Sequence, residues 1–373
     1  MHKVSIRPQW TIQHAGGQVL SPRLLALLVQ VHECGSLSTA CQRTGASYRH
    51  AWDLVRQGEA MFGMPLLQME RGKGSKLTAL GEKLVWADRR IAARLTPALD
   101  TLASELEVEI QSVVATNPAL LRVHASHGFT IEKLLDALAA DHVVVERKYV
   151  GSQEAVASLH DGTCDLAGFH VPLGDFEARV LQHHMRWLDP RTSRVICLAV
   201  RRQGLMVAPG NPRKIYDMRD LVRPDVRFIN RQIGSGTRIL LECLLDQAGI
   251  VPAQINGFEH GEYTHAAIAA YVASGMADVG LGVEPPARQF KLDFIPVASE
   301  RYFLLCHEQS LAKPQMQAML DILRRREFQD AVNQLPGYSF VESGTMIQTL
   351  RQAFPNHKLP PKRSQPGVER PGA

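Results

Sequence analysis

The chain has 373 residues, 45% hydrophobic and 21% charged, which suits two or three folded domains and excludes a disordered chain. Its six Cys include no C-x-x-C, so neither a disulfide scaffold nor a zinc ribbon is expected; with no run of 18 apolar residues and no apolar leader, a cytoplasmic protein is. The net charge of +5 is uneven: residues 1–78 hold nine Lys/Arg against four Asp/Glu, the footprint of a nucleic-acid binder or of a merely solvated basic face.

Trp10 to Leu20 reads as a small hairpin around Ala15-Gly16-Gly17. Ser21-Pro22 supplies an N-cap and a first-turn proline, and Leu24, Leu27, Leu28 and Val31 follow at helical spacing. Gly35 ends this helix. Ser36-Leu37-Ser38 opens a short second one holding Ala40 and Cys41. After Gly45, Ser47 caps a third, with Ala51, Trp52, Val55, Ala60 and Met61 facing inward. Two helices joined by a short Gly-containing turn make a helix-turn-helix, whose second helix meets base edges in the major groove. Its first residues are Ser47, Tyr48, Arg49 and His50, and Arg49 has the fork geometry for guanine O6 and N7. Ser38 and Arg56 join them as candidate DNA contacts. Leu66 to Leu77 then reads as two short strands around a Gly/Lys tip, a basic wing. Its Arg71, Lys73 and Lys76 would position the protein on phosphates or in the minor groove.

Residues 20–95 resemble the winged helix-turn-helix of LysR-type regulators and, closer still, that of ModE-type molybdate-responsive repressors. The resemblance is carried by Gly35-Ser36-Leu37-Ser38, Gly45 through Asp53, Glu70-Arg71-Gly72-Lys73-Gly74 and Leu77-Thr78-Ala79-Leu80-Gly81. The wing here has fewer glycines than the ModE-type wing.

Thr78 to about Ile110 has few breakers, and Leu84, Ile91, Leu95, Leu99, Leu102 and Leu106 recur along it, so a long amphipathic linker helix is expected. The LysR resemblance implies that this helix pairs subunits into a homodimer or dimer of dimers; the alternative is that it folds back on its own subunit. Pro97 is expected to kink the helix or restart it with Thr96 as a new cap.

From Leu120 strand and helix alternate. Leu121–Ala125, Val143–Glu146 and Asp165–His170 read as strands, with helices at 130–140 and 153–160. A second unit holds Leu205–Ala208, a strand from Val226 leading through Gly234-Ser235-Gly236-Thr237 into a helix, and Asp278–Gly282. This rhythm argues an open α/β sheet with ligands at the carboxyl ends of strands. Three strand-to-helix turns carry small donors: Ser126 with Gly128, Gly151 with Ser152, and Gly234 through Thr237. Helix N-termini with added hydroxyls suit a bound oxyanion, though Ser and Thr also serve as plain N-caps.

Residues 120–345 resemble the type 2 periplasmic-binding-protein-like domain fused to regulators and to some molybdopterin-biosynthesis proteins. The marks are Asn230-Arg231-Gln232-x-Gly234-Ser235-Gly236-Thr237-Arg238, Thr264-His265, Gly275-x-Ala277-Asp278-x-Gly280-x-Gly282 and Glu300-Arg301-Tyr302, with Ile233 where proline is common. The resemblance implies two lobes, about 120–197 plus 300–345 and about 200–297. Ser126 and Ser152 would then face Ser235, Gly236 and Thr237 across a cleft. His127, Arg231, His265 and Tyr302 complete the candidate ligand set, and His170 is a further candidate lining residue. Arg231 and Arg238 are each candidates for an anion or for a structural ion pair.

The expected architecture is therefore multidomain α plus α/β: a winged helix-turn-helix (1–80), a linker helix (81–112), a two-lobed periplasmic-binding-protein-like domain (118–345) and a flexible basic tail (355–373). No G-x-S-x-G, P-loop, dinucleotide fingerprint or H-E-x-x-H occurs, so no enzyme, cofactor or metal is expected. The reading is a regulator of double-stranded DNA sensing a small oxyanion. Molybdate or tungstate comes first, and formate, another small anion or a molybdenum-cofactor-related molecule is the alternative. A non-regulatory solute-binding protein is the lower alternative, disfavoured by the basic head and the missing leader.

Overall fold

The computed structural model describes residues 3–70, 74–114, 120–340 and 347–357. In the head, α1 (Pro22–Cys34) buries Leu24, Leu25, Leu27, Leu28 and Val31. α2 (Leu37–Thr44) is capped by the Ser36 hydroxyl, which accepts from the Thr39 amide, and stops at Gly45 in the left-handed region (φ 68°). α3 (Tyr48–Phe62) is capped by Ser47, which accepts from the His50 amide. The helices close on one another at Gly58, where a Cβ would lie 2.4 Å from Leu24 Cδ2 and 2.8 Å from Leu66 Cδ1. β1 (Leu67–Glu70) and β2 (Gly74–Leu77) pair antiparallel as the wing. Trp10 to Leu20 folds back as expected: Gln13 and Val19 form an antiparallel bridge, and the Leu20 and His14 amides donate to the Ile12 and Gln18 carbonyls, each at 2.8 Å. One expectation needs correction. Ala60 is exposed and Trp52 only half-buried.

α4 (Ala79–Val114) is a single helix of 36 residues, about 54 Å long at 1.5 Å per residue. Pro97 lies inside it and does not restart it. Thr96 is not a cap, because its hydroxyl donates back to the Ala92 carbonyl at 2.7 Å. The carbonyl of Ala93, which Pro97 cannot reach with an N–H, accepts instead from Thr264 Oγ1 at 3.0 Å. One face of the helix packs on its own subunit, burying Ala103 and Ser104, while Leu95, Leu102, Leu106 and Ile110 stay exposed.

The body follows as β3 (Leu120–Ala125), α5 (Phe129–Ala140), β4 (Val144–Tyr149), α6 (Ser152–His160), β5 (Leu166–Pro172), α7 (Glu177–Gln182), β6 (Ser193–Val207), β7 (Phe228–Arg231), α8 (Gly236–Gln247), β8 (Gly261–Glu262), α9 (His265–Ala273), β9 (Val279–Val283), α10 (Glu284–Gln289), β10 (Asp293–His307), α11 (Pro314–Arg324), α12 (Arg326–Asn333), β11 (Tyr338–Phe340), β12 (Gln348–Thr349) and α13 (Leu350–Ala353). The strand order is β4-β3-β5-β10-β6-β9-β7-β8, with β11 and β12 also on β6. β6 and β10, 15 residues each, pair antiparallel along their length and belong to both halves. β10 carries β5 on its Glu300–Leu305 stretch, while β6 carries β9 on Gln203–Val207. The first lobe thus hangs β5, β3 and β4 from one end of this pair, and the second hangs β9, β7 and β8 from the other. The sequence suggested only Leu205–Ala208 of β6 and nothing of β10, because Arg201-Arg202-Gln203 and Ser299-Glu300-Arg301 interrupt both apolar runs.

Candidate anion cleft and DNA-reading face

Between the lobes lies a cleft of ≈ 310 Å³ whose lining includes Ser126, His127, Tyr149, Gly151, Arg231 and Tyr263. On the first lobe, α5 and α6 begin after Gly128 and Gly151, and neither N-cap offers a side-chain acceptor. Their first amides are therefore available to an anion. Ser126 and His127 sit in the turn before α5. Ser152 opens α6, is fully buried, and places its Oγ 3.4 Å from His170 Nδ1. His170 stacks on Tyr302 at 4.2 Å, and Gly168 makes room for that ring, since a Cβ there would lie 2.4 Å from the Tyr302 hydroxyl.

On the second lobe, β7 enters α8 through a turn with Ile233 and Gly234 at its centre. Gly234 has φ 80°, a position that favours glycine, and Ile233 takes the place where proline is common. Ser235 caps α8 by accepting from the Arg238 amide at 3.2 Å. Gly236 is the first residue of that helix, and Thr237 Oγ1 accepts from Gln203 Nε2 at 2.9 Å. The lobes approach closely: a Cβ on Gly151 would lie 3.0 Å from the Gly234 carbonyl, and one on Gly236 3.7 Å from Ser152 Oγ. Ser152 and Gly236 therefore face one another, while Ser126 and His127 share the cleft with Arg231.

A buried polar cluster, outside the residues that line the cleft, forms where β6 and β10 cross from lobe to lobe. Arg201 Nε donates to Glu300 Oε1 at 2.5 Å, Gln203 Nε2 donates to the same oxygen at 2.8 Å, and Arg201 Nη1 reaches the Tyr338 hydroxyl at 3.5 Å. His170 Nε2, His265 Nδ1, Gln203 Oε1, Glu300 Oε2 and the Tyr302 hydroxyl are buried with no protein hydrogen bond among the described residues. Such groups are costly unless something pairs with them.

Arg231 and Arg238 part company here. Arg238 pairs with Glu242 at 2.8 Å, donates to the Phe258 carbonyl at 2.9 Å and lies over the Phe258 ring. It is structural. Arg231 is 3% exposed, donates to the carbonyls of Glu262 (3.2 Å) and Tyr263 (3.0 Å) and to Gln232 Oε1 (3.1 Å), and pairs with no carboxylate among the described residues. Burial, then repulsion from Arg201, brings it down to about 9, so it stays charged at neutral pH. Burial, then the two arginines, holds His170 and His265 well below their ordinary value. Burial followed by Arg231 holds His127 down to about 4. The imidazoles are thus neutral at pH 7, and the charged side chains of the lining are Arg231 and Glu154, the latter paired with Lys148 at 3.5 Å.

In the head, Ser38, Ser47, Tyr48, Arg49, His50 and Arg56 are exposed, and Arg49 and Arg56 form no ion pair among the described residues. Tyr48 sets its ring edge-on to Trp52 at 6.3 Å. Lys76 is exposed on β2, whereas Arg71 and Lys73 lie outside the described residues. Sequence reasoning missed Arg201, Gln203, Tyr338, Tyr149, Tyr263 and Pro97 as site residues. The available signal was polar residues interrupting an apolar strand, read as the end of that strand.

Residues 135–324, just over half of the chain, match the family model described as PBP superfamily domain. Residues 22–82 match that of the bacterial regulatory helix-turn-helix proteins of the lysR family. The chain belongs to the PBP superfamily and carries a helix-turn-helix of the lysR family at residues 22–82. It is 32% identical over 205 residues to the uncharacterized protein YvgK of Bacillus subtilis, covering 54% of the chain but only 65% of that relative, just under two-thirds of its length. It is 32% identical over 88 residues to the transcriptional regulator ModE of Yersinia pestis, which covers 22% of the chain and 34% of that protein. Among solved structures it is similar to an OxyR mutant of Corynebacterium glutamicum bound to hydrogen peroxide, with 16% identity, a TM-score of 0.42, and coverage of 84% of this chain and 94% of that one. No helix among the described residues is long and apolar enough to cross a membrane.

Proposed function

We propose that this regulator senses a small dianionic oxyanion, with molybdate or tungstate the first to test, and that the cleft between its lobes receives it. The observation that carries this reading is Arg231, a buried guanidinium without a carboxylate partner, facing two uncapped helix N-termini. With roughly half a charge at each N-terminus, these elements together offer about two positive charges. A monoanion such as formate would leave part of that charge unmatched. Of the other candidate residues, Ser126 and His127 line the cleft with Arg231, whereas Ser152, Ser235, Gly236, Thr237, His265 and Tyr302 are outside its lining, so their part is to support the residues that line it. One observation favours a larger anion of the molybdenum-cofactor type: ≈ 310 Å³ is at the small end of pockets for organic ligands, and Tyr149 and Tyr263 flank it. Calorimetric titration of the full chain with molybdate, tungstate, sulfate and formate tests the reading, and no heat with any of them rejects it.

The domain division proposed is a DNA-binding head over 1–80, a linker helix and a two-lobed sensor from 118 to 345. The exposed stripe Leu95, Leu102, Leu106 and Ile110 on α4 is the proposed subunit-pairing face. Ser47, Tyr48, Arg49 and His50 read the major groove, with Ser38, Arg56, Arg71, Lys73 and Lys76 holding the backbone. Arg49→Ala should relax sequence preference by about 1–3 kcal/mol at one base pair, while Lys76→Ala should weaken all duplexes alike and lower the salt slope by about one. Binding assays over a salt series separate the two, and identical behaviour of both variants refutes the division.

A further inference from the structure

α4 is fastened to both jaws of the cleft, on either side of its proline. Pro97 leaves the Ala93 carbonyl without its helical donor, and Thr264 Oγ1 of the second lobe takes that acceptor at 3.0 Å. Thr264 is at the same time the N-cap of α9, accepting from the Ala267 amide at 2.9 Å. It directly follows Glu262 and Tyr263, whose carbonyls hold Arg231. Nearby, Arg94 pairs with the buried carboxylate of Glu262 at 3.1 Å, and Trp86 stacks on Phe290 at 5.9 Å. The stretch of α4 before Pro97 therefore rides on the second lobe.

The stretch after Pro97 rides on the first. β4 is the edge of the sheet, and side chains of α4 satisfy its outward backbone groups. Ser104 Oγ donates to the Val145 carbonyl at 3.1 Å and accepts from the Arg147 amide at 2.9 Å. Thr101 Oγ1 accepts from the Tyr149 amide at 3.3 Å. Pro97 itself lines the cleft, with Tyr149 on one jaw and Tyr263 on the other.

A helix anchored to two bodies has to flex when they shift relative to one another, and it flexes most easily where its hydrogen-bond ladder is interrupted. We propose that Pro97 and Thr264 are the coupling point of this regulator: movement of the jaws changes the bend of α4 at Pro97, and this re-aims the head carried on its N-terminal end. Thr264 is a positioning residue. Its side chain ties the segment that holds Arg231 to the Ala93 carbonyl that Pro97 leaves without a helical donor. The inference rests on the cleft being the sensing site, yet closure can be imposed without any ligand.

A cross-cleft staple, Ser152→Cys with Gly236→Cys, does so in the full chain, since the two positions touch across the cleft, a Cβ on Gly236 lying 3.7 Å from Ser152 Oγ. Backbone hydrogen exchange over residues 90–104 is compared with the staple oxidised and reduced. Oxidation is expected to slow exchange there by about tenfold, a ratio ordinary for coupled sites. Pro97→Ala, which returns a helical N–H to Ala93, and Thr264→Asp, which keeps the cap acceptor but has no donor, should each bring the ratio to about two or less. Thr264→Ser should keep it whole. Exchange that changes in the cleft turns but not in α4 overturns the proposal, as does a Pro97→Ala chain that responds like its parent. A staple that does not form removes the contact on which closure depends and overturns it as well. If α4 responds as expected while molybdate gives no heat, the coupling stands and only the ligand reading falls.

Discussion

The two jaws of the cleft begin their helices differently. On the first lobe α5 and α6 start after glycines with no side-chain cap, whereas on the second lobe α8 and α9 are capped by Ser235 and Thr264. The second lobe instead contributes a full charge, Arg231. One jaw thus offers neutral backbone donors that need an anion, and the other a cation held in place by carbonyls. Under the proposed function, division of labour of this kind would make binding depend on closure, because neither half alone would satisfy a doubly charged guest.

The sharpest way to break this comparison is to remove the charged half. Arg231→Ala should lower oxyanion affinity about 100-fold, near 3 kcal/mol, measured by calorimetry, while Arg238→Ala should lower stability and leave affinity close to the parent's. Equal losses in both would erase the distinction between the two arginines. Acidification probes the neutral groups. His127 ordinarily titrates near 6.5 and is held down to about 4 in the fold. Its contribution is complete above pH 6.5 and is lost as pH falls toward 4, because the unfolded chain takes a proton that the folded chain refuses. The loss is up to roughly 3 kcal/mol, with His170 and His265 adding in the same direction. Urea unfolding at pH 7, 5.5 and 4.5 reads it, and His127→Asn against His265→Asn assigns it to a jaw. The smallest effect sharpens the comparison. Gly128→Ser gives α5 the cap it lacks, in an extended position (φ −172°) where the nearest atoms to a Cβ are 3.8 Å away. It should stabilise the fold by about 1 kcal/mol and weaken the oxyanion about fivefold. A variant that binds more tightly would mean the α5 amides are not used.

How much of this was readable beforehand follows sequence distance. Ser36, Gly45 and Ser47 act on neighbours three or four residues away, so the head's helices and caps could be placed from local spacing. The same holds for the turns at Gly128, Gly151 and Gly234. The buried cluster where the lobes join is different. Arg201 and Glu300 are 99 residues apart and meet only through the antiparallel register of β6 and β10. In one dimension their polarity marks the end of a strand; in three it marks where two lobes share one. The expected restart at Pro97 fails for a related reason. The proline's cost to the helix is offset by Thr264, 167 residues further along, which no local rule anticipates.

The shared strands also set an order of assembly. The first lobe is encoded early, yet β5 pairs with residues 300–305, and β11, which pairs with β6, spans 338–340. As the chain leaves the ribosome, β7, β8 and β9 of the second lobe are available before the first lobe can close its sheet. The jaw that is translated first is finished last, and a chain truncated before β10 would leave β5 with a bare edge open to pairing with other nascent chains.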